Sequence, residues 1–257
     1  MVERIGRLGR VIVAFSGGVD STVVAKLAYD ALGEDTLAVT VNSPLFPDHE
    51  LANAKNLAKV IKIRHKIIDF NELKIDGFND NPRDRCYICK KARYSVLKEY
   101  ADAQEYNEVL EGTNTSDLGE YRPGLRASDE LGIIKPLLEH GLGKAETRRL
   151  ARMLGLPNAD MPSNSCLASR IPYDEKISVE RLQRISGSEE RVRRLTGART
   201  VRVRDHGELA RIELGGGERK LLFDEQLMDE VHEEMRALGY RFVALDLKGY
   251  RFGTFDK

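Results

Sequence analysis

The sequence has no excess charge of either sign and no long apolar run. Its 257 residues carry 41 Lys and Arg against 41 Asp and Glu, so the formal net charge is zero. A protein that binds nucleic acid through its overall charge would be basic, and we expect no nucleic-acid partner here. No apolar stretch approaches the ~20 residues that span a bilayer. Residues 1–10 lack the apolar core of a signal peptide, so we expect a cytoplasmic protein without a membrane partner.

Cysteine is also scarce. Three cysteines, an odd number, argue against a disulfide framework and favour thiol or metal chemistry. Low-complexity tracts and internal repeats are absent. A chain of this length with 41% hydrophobic residues can bury a core without disulfide or metal cross-links, in one large domain or two small ones.

Short apolar runs alternate with helical patterns in the first part of the chain. The five apolar residues at 11–15 are typical of a parallel strand that is buried on both faces. The same patterns predict further strands at 36–41, 64–68, 109–111 and 133–134, and helices that include 90–106 and 144–154. We therefore predict an α/β domain over residues 1–172, with an open, mainly parallel, Rossmann-like sheet flanked by helices.

The order of elements changes after residue 172. The patterns predict a helix at 178–195 that is broken near Gly187, a hairpin formed by 200–204 and 209–214, a helix at 221–238 and a strand at 242–247. This order predicts a small α+β domain over residues 173–257, for substrate binding or oligomerisation. Pro and Ser cluster at the boundary, in the predicted loop 161–175.

A glycine turn joins the first strand to the helix that follows. It consists of Ser16, Gly17, Gly18, Val19, Asp20 and Ser21. Paired glycines expose backbone N–H groups, and a helix N-terminus carries a partial positive charge, so the turn is typical of a phosphate site. Asp20 is placed to hold Mg²⁺ near the phosphates. The Walker pattern and the Gly-x-Gly-x-x-Gly pattern are both absent. The alternative is a capped glycine turn without a ligand.

Residues 16–21 resemble the SGG-x-DS signature of the PP-loop, or N-type, ATP pyrophosphatases. In that superfamily the loop grips the β- and γ-phosphates of ATP while a substrate oxygen attacks the α-phosphate, giving an adenylate and pyrophosphate. The resemblance extends to Val41 and Ser43, where adenine usually lies, and to Gly112 and Thr113 within the stretch 111–117. Both places follow predicted strands, where open α/β sheets bind ligands. The resemblance implies ATP and Mg²⁺ as cofactors.

The three cysteines are Cys86, Cys89 and Cys166, and each lies in a polar segment that we expect to be a loop. Arginine and lysine residues surround the first pair, and cationic neighbours favour the thiolate. Zinc usually takes four protein ligands, whereas three thiolates fit an iron–sulfur cluster with one open iron. A redox pair formed by Cys86 and Cys89, and plain unpaired thiols, are the alternatives.

Two stretches of the sequence resemble a more specific family within this superfamily. They are Asn-Pro-Arg-Asp-Arg-Cys-Tyr-Ile-Cys at 81–89 and Pro-Ser-Asn-Ser-Cys-Leu-Ala-Ser-Arg-Ile-Pro-Tyr at 162–173. Together with residues 201–204 and 209–213 they resemble the LarE family over nearly the whole chain. The family implies an ATP-dependent sulfur insertase in the biosynthesis of the nickel-pincer nucleotide cofactor, and a homo-oligomer, often a hexamer. Such an enzyme adenylates a carboxylate of pyridinium-3,5-biscarboxylic acid mononucleotide, a small-molecule substrate, and replaces an oxygen with sulfur.

The family has two branches that differ in the source of sulfur. In one branch a single cysteine, which corresponds to Cys166, gives up its sulfur and becomes dehydroalanine. This sequence departs from that branch because it also has Cys86 and Cys89. The resemblance to the three-cysteine branch implies a [4Fe-4S] cluster on Cys86, Cys89 and Cys166, with a sulfide on the open iron. Self-consumption of Cys166 is the alternative.

A mononucleotide substrate needs a clamp for its phosphate. Arg202 and Arg204 alternate on a predicted strand, so they point to one face and, with Arg170, form a candidate clamp. On spacing alone, a solvated strand face explains the Arg-x-Arg pattern equally well. The resemblance favours binding, and it also implies Ser169 and Glu190 near the substrate. The histidines are scattered without metal-ligand spacing, and we predict none as a ligand.

Three other functions compete with this interpretation. A PP-loop tRNA thiolase combines the same loop with three cysteines, but it usually has a basic RNA-binding surface or extra zinc modules. A ligase such as NAD or GMP synthetase needs no cysteine triad. A nucleotide-sensing module would keep the loop without turnover. Pyrophosphate release with tRNA or with the pyridinium mononucleotide distinguishes the thiolase. Replacement of all three cysteines by Ser should leave a ligase active, and pyrophosphate release with any carboxylate substrate excludes the sensing module.

Overall fold

The computed structural model describes residues 1–119, 123–162 and 165–251. The chain divides into two compact units. The first consists of Met1–Glu72 and Asp84–Asn164, and the second of Leu73–Arg83 and Ser165–Lys257. The boundary therefore falls before residue 165 instead of after residue 172, and a short segment of the predicted first domain joins the second unit.

Hydrogen bonds explain why residues 73–83 and 165–172 group with the second unit. Within the second unit, the Nδ2 of Asn81 donates to the Pro172 carbonyl at 2.7 Å, and the Ile177 N–H donates to the Asn79 carbonyl at 2.8 Å. The Arg204 guanidinium also donates to the Ser169 carbonyl at 2.8 Å. These long-range contacts cannot be foreseen from the Pro and Ser composition of the loop.

The first unit is built on a parallel four-stranded sheet, which confirms the predicted fold class. Its strands are β1 (Val11–Ala14), β2 (Thr36–Asn42), β3 (Arg64–Asp69) and β4 (Glu108–Leu110), in the order β3-β2-β1-β4. The predicted strand at 133–134 is reduced to a single parallel bridge between Leu110 and Ile134.

Helices flank this sheet. They are α1 (Val2–Gly6), α2 (Val19–Leu32), α3 (Asp48–Ile61), α4 (Arg85–Ala103), α5 (Gly124–Glu130), α6 (Pro136–Glu139) and α7 (Lys144–Met153). The central strand β1 alternates its side chains between two cores, as the period of a strand requires. Val11 and Val13 pack in the core that contains residues of α2 and α3, and Ile12 packs in the core that contains Leu97 of α4.

The second unit has a three-stranded sheet with the order β5-β6-β7. The strands β5 (Val201–His206) and β6 (Leu209–Leu214) are antiparallel, as the predicted hairpin requires, and β7 (Phe242–Leu245) pairs parallel to β6. The helices α8 (Val179–Thr196) and α9 (Glu225–Ala237) cover a core that includes Val203, Ile212 and Met235.

Two helix predictions for this unit need correction. Helix α8 runs without a break through Gly187, because a glycine inside a helix costs only about 1 kcal/mol and the Ser178 side chain caps the N-terminus. Helix α9 begins at Glu225, where the Asp224 carboxylate accepts the Leu227 N–H at 2.9 Å. The residues before it form a separate 3-10 helix, Arg219–Leu222.

Candidate active site

The glycine turn lies between β1 and α2, as predicted. Gly17 has φ +75°, in the region that favours glycine, and a Cβ at this position would lie 3.0 Å from the Ala54 Cα. Gly18 is the N-cap of α2. The hydroxyls of Ser16 and Ser21 lie 3.1 Å apart, and the Ser21 hydroxyl also lies 3.1 Å from the Gly18 carbonyl, to which it donates. The turn therefore presents backbone N–H groups and hydroxyls at a helix N-terminus, where an anion is favoured.

Gly112 brings the end of β4 against this loop. A Cβ on Gly112 would lie 2.7 Å from the Ser21 nitrogen and 2.8 Å from the Asp20 carbonyl carbon, so only glycine fits there. Thr113, the next residue, is buried. The structure thus brings together two predicted groups of ATP-site residues that lie about 90 residues apart in the chain.

Asp20 faces a second carboxylate, Asp117, which sequence reasoning included in a motif but did not assign to a site. Burial, and then the nearby Asp117 carboxylate, raise the pKa of Asp20 to about 6, against the opposing effects of Asn114, Lys144 and Arg148. Two carboxylates that repel each other beside a phosphate loop are hard oxygen ligands of the kind that Mg²⁺ prefers. The residues present therefore fit the Mg²⁺ that we expect with ATP.

Val41 and Ser43 lie at the carboxyl end of β2, where adenine was expected. Both are buried, and the Val41 carbonyl accepts a hydrogen bond from Arg93 at 2.9 Å. The Ser43 hydroxyl donates to the fully buried carboxylate of Glu72. Glu72 is a residue that sequence reasoning missed, because its burial depends on this long-range contact.

Cys86 and Cys89 lie within the first five residues of α4, and our expectation of a loop was wrong. Residues 84–89 show no apolar periodicity, so the pattern predicted the helix only from residue 90, whereas it begins at Arg85. Residues three apart share one helix face. The Cys89 thiol donates to Glu72 Oε1 at 3.8 Å, and Cys86 is exposed. A helix N-terminus favours a thiolate, as metal and sulfur chemistry require.

Lys90 joins this cysteine helix to the strand end beside the phosphate loop. Its Nζ lies 3.2 Å from Glu111 Oε2, and Glu111 immediately precedes Gly112. Burial alone would raise the pKa of Glu111, but Lys90 and the Tyr94 hydroxyl more than offset it and hold the pKa below its usual value. The phosphate loop and the cysteine pair are thus connected through contacts within one unit.

The second unit gathers a buried arginine cluster around Cys166. Arg170, Arg202 and Arg204 are exposed by only 2%, 2% and 5%, respectively. Arg170 donates to the Cys166 carbonyl at 3.0 Å and to the Ser169 hydroxyl at 2.9 Å. The predicted residues on this strand and on the Cys166 segment therefore lie together, and Arg202 and Arg204 are not on a solvated strand face.

Two of these arginines donate hydrogen bonds to buried carboxylates. Arg170 donates to Glu189 at 2.8 Å, and Arg204 donates to Glu213 at 2.8 Å. Arg202 donates to the Val201 carbonyl at 2.8 Å and lies 5.1 Å from the centre of the Tyr250 ring. Burial lowers the pKa of Arg202, and the neighbouring charge of Arg170 lowers it further. The cluster thus sets three guanidinium groups against the two carboxylates Glu189 and Glu213, and the excess positive charge suits a phosphate.

Glu189, and not Glu190, belongs to the arginine cluster. Glu190 is exposed, whereas Glu189 is buried, pairs with Arg170 and accepts the Val203 N–H at 3.2 Å. The spacing of the buried positions on α8 could have revealed this, because residue 189 falls on the same face as Leu182, Ile185 and Val192. The role of Glu190 near the substrate stays a prediction.

Two absences hold within the described part of the chain. Across residues 1–119, 123–162 and 165–251, no group of three or more His, Cys, Asp or Glu side chains is arranged to hold a metal ion. In the same ranges, no helix combines the length and apolar character needed to cross a membrane. Ser163 and Asn164 of the motif at 162–173 lie outside the described residues.

Comparison with known proteins agrees with this site. Residues 2–164 match the NAD synthase family, and the chain belongs to this family of PP-loop enzymes. Over 172 residues it is also 32% identical to a glutamine-hydrolyzing GMP synthase component of Sulfurisphaera tokodaii, a match that covers 58% of this chain and 44% of that protein. The class is thus that of ATP-using enzymes with a phosphate loop of this kind.

Similarity over the whole chain identifies the particular family. The chain is 38% identical over 257 residues to the pyridinium-3,5-bisthiocarboxylic acid mononucleotide synthase of Lactiplantibacillus plantarum, a match that covers 100% of this chain and 92% of that protein. An uncharacterized protein of Synechocystis is 42% identical over 252 residues, covering 98% of this chain and 94% of its own length. The chain is a member of the LarE family, and it is an enzyme, an ATP-dependent sulfurtransferase.

Proposed function

We propose that the protein adenylates a carboxylate of pyridinium-3,5-biscarboxylic acid mononucleotide and converts it to a thiocarboxylate. The observation that carries the proposal is the connection of the phosphate loop to the cysteine helix within one unit, through Gly112, Glu111 and Lys90. A nucleotide activated at the loop then lies on the same sheet edge as two thiols. The neutral net charge and the buried arginines favour a small phosphorylated substrate over RNA.

The first step makes the carboxylate reactive. A carboxylate oxygen attacks the α-phosphorus of ATP, the bond to the bridging oxygen of the β-phosphate breaks, and pyrophosphate leaves. The N–H groups of the loop at Gly18 and Val19, with the hydroxyls of Ser16 and Ser21, stabilise the charge on the departing pyrophosphate. Asp20 and Asp117 would hold Mg²⁺, which neutralises the phosphate oxygens.

The second step transfers sulfur. A sulfide attacks the acyl carbon of the adenylate, and AMP leaves with the bonding electron pair. Cys86, Cys89 and Cys166 are outside any disulfide, and thiolates are soft ligands suited to iron. A [4Fe-4S] cluster held by these residues would supply an open iron that carries the sulfide. The chain's own contribution at Cys86 and Cys89 is a helix N-terminus that favours thiolates.

The arginine cluster binds the phosphate of the mononucleotide. Arg202 and Arg204 lie two residues apart on one face of β5, and Arg170 lies with them beside Cys166. Ser169 contributes a hydroxyl that accepts from Arg170 at 2.9 Å. The clamp thereby orients the pyridinium carboxylate relative to Cys166.

Pyrophosphate release tests the proposed substrate. With MgATP, the pyridinium mononucleotide should trigger pyrophosphate release and yield a product heavier by the difference between sulfur and oxygen, detected by mass spectrometry. Bulk tRNA and glutamine or ammonia with nicotinate or xanthine nucleotides serve as controls. Release with tRNA alone would favour a tRNA thiolase, and release with none of these would contradict the proposal.

Two measurements distinguish the sources of sulfur. Anaerobic reconstitution with iron and sulfide should give a brown protein that absorbs near ~400 nm, and Cys86→Ser should abolish both colour and sulfur transfer. The mass of the protein should be unchanged after turnover. A colourless protein that loses one sulfur atom at Cys166 and tolerates Cys86→Ser would instead establish self-consumption.

A further inference from the structure

Two amide side chains from distant parts of the first unit hold the Gly17 carbonyl. Asn158 Nδ2 donates to it at 3.0 Å, and Asn53 Nδ2 donates to it at 3.3 Å. Asn158 is buried, with 5% of its surface exposed, and it lies in the segment that follows α7. Neither residue belongs to the phosphate loop, and neither was singled out from the sequence.

The orientation of this carbonyl decides where the next N–H points. The Gly17 carbonyl and the Gly18 N–H belong to one planar trans peptide and point in opposite directions. Glycines on both sides allow that peptide to rotate at little energetic cost. Because the amides hold the Gly17 carbonyl on one side of the loop, the Gly18 N–H is presented on the other, where it donates to the Ser16 hydroxyl oxygen at 3.3 Å.

Asn158 also controls the following peptide, through Thr22. The second proton on Asn158 Nδ2 goes to Thr22 Oγ1 at 3.0 Å, and the Thr22 hydroxyl donates to the Gly18 carbonyl at 2.7 Å. Donors and acceptors are matched, because the Thr22 oxygen accepts a hydrogen bond from the Asn158 amide and the Thr22 hydroxyl proton is donated to the Gly18 carbonyl. Holding the Gly18 carbonyl in turn fixes the direction of the Val19 N–H.

The segment that carries Asn158 is itself anchored. Arg148 of α7 donates to the Ala159 carbonyl at 2.8 Å and to the Met161 carbonyl at 2.6 Å. Leu156 and Ala159, on either side of Asn158, are packed in the core of the first unit. The amide is therefore presented from a rigid turn instead of a mobile loop.

We propose that Asn158 is a positioning residue of the phosphate loop, which fixes the two glycine peptides so that the Gly18 and Val19 N–H groups are directed at the β- and γ-phosphates. The proposal rests on the proposed function, because it takes the loop as the site of ATP. Its effect is specific to the phosphates that the loop grips. Binding of AMP does not depend on Asn158, because the loop does not grip the adenosine or the α-phosphate.

The test compares ligands that differ in these phosphates. Asn158→Ala should weaken binding of MgATP and of magnesium pyrophosphate about 10- to 100-fold and leave AMP binding within about twofold. Thr36→Val is the matched control, because it removes a buried hydrogen bond to the Ala28 carbonyl in the same unit but away from the loop. The control should lose stability without any selective loss of pyrophosphate binding.

A second variant serves if Asn158→Ala does not fold. Thr22→Val keeps the shape of the side chain but removes the hydroxyl that links Asn158 to Gly18, and it should weaken pyrophosphate binding about 3- to 10-fold. Unchanged pyrophosphate binding in a folded variant, or an equal loss of AMP binding, would overturn the proposal. Failure of the unmodified protein to bind MgATP would instead contradict the proposed function.

Discussion

Lys90 Nζ lies 3.2 Å from Glu111 Oε2, and this ion pair joins the helix that carries Cys86 and Cys89 to the strand end that meets the phosphate loop. Glu111 is buried, whereas about a third of the Lys90 side chain is exposed. The pair therefore serves two purposes, since it compensates a buried carboxylate and it ties the cysteine helix to the strand end at the phosphate loop.

Replacing Lys90 should destabilise the protein more than replacing the adjacent Lys91. Lys90→Met leaves the buried Glu111 carboxylate without its cation, and we expect a loss of about 1–2 kcal/mol in the free energy of unfolding at pH 7, a value discounted for solvent screening. Lys91→Met removes an exposed pair with Glu130, which solvent screens, and should cost less than Lys90→Met. Urea unfolding of both variants measures the difference.

The loss of stability in Lys90→Met should depend on pH. Because the pKa of folded Glu111 is held below its ordinary 4.5, this carboxylate contributes stability above pH 4.5 that is lost as the pH falls through its folded pKa. The difference between Lys90→Met and the unmodified protein should therefore shrink between pH 7 and pH 4. An equal penalty at both values would show that Lys90 acts only through packing of its aliphatic stem.

Gly112→Ala should impair ATP use without unfolding the protein. The added methyl group would meet the Ser21 nitrogen and the Asp20 carbonyl carbon, which are backbone atoms that cannot rotate away. A displacement of the loop should lower kcat/KM for ATP about 100-fold, measured as pyrophosphate release. Gly6→Ala is the control, because nothing lies within 4 Å of a Cβ there and the residue already sits in a helix.

Asp20→Asn should lower the activity and raise the stability of the metal-free protein. Burial, and then the nearby Asp117 carboxylate, raise the pKa of Asp20 to about 6. A proton bound to folded Asp20 therefore stabilises the metal-free protein below the unfolded value of 3.8, and this stabilisation is lost as the pH rises through about 6. The amide has no charge to bury. We expect the metal-free variant to have a higher Tm than the unmodified protein at pH 8.

Magnesium provides the control for that prediction. Addition of Mg²⁺ should raise the Tm of the unmodified protein, because the ion binds the folded state, and it should have little effect on Asp20→Asn. Pyrophosphate release by the variant should fall by at least about 100-fold. A variant that is less stable at pH 8 and keeps its response to Mg²⁺ would contradict the assignment of Asp20.

Features that depend on neighbouring residues could be predicted from the sequence, whereas features that depend on tertiary contacts could not. The apolar run at 11–15 and the glycines after it locate β1 and the loop, because both depend on neighbouring residues. Glu72 and Asn158 could not be found in this way, since each acts through contacts with residues that lie far along the chain. Glu189, which pairs with Arg170, is one step along the helix from the predicted Glu190, and one step turns a side chain by about 100°.

His65 gives the protein a stability that declines in mild acid. Its Nε2 lies 2.7 Å from Thr40 Oγ1, and the Thr40 hydroxyl donates to the Phe15 carbonyl at 2.6 Å, so the neutral ring donates from Nε2. Burial lowers the pKa of His65, and the charge of Lys55 lowers it further. Below the ordinary value of 6.5, the unfolded chain takes up a proton that the folded ring resists, so stability falls as the pH drops from 6.5 toward the folded pKa. Urea unfolding at pH 7.5 and 5.5 should show this loss, which His65→Gln should diminish and the exposed-site variant His232→Gln should retain. Equal pH dependence in all three proteins would rule out His65 as its source.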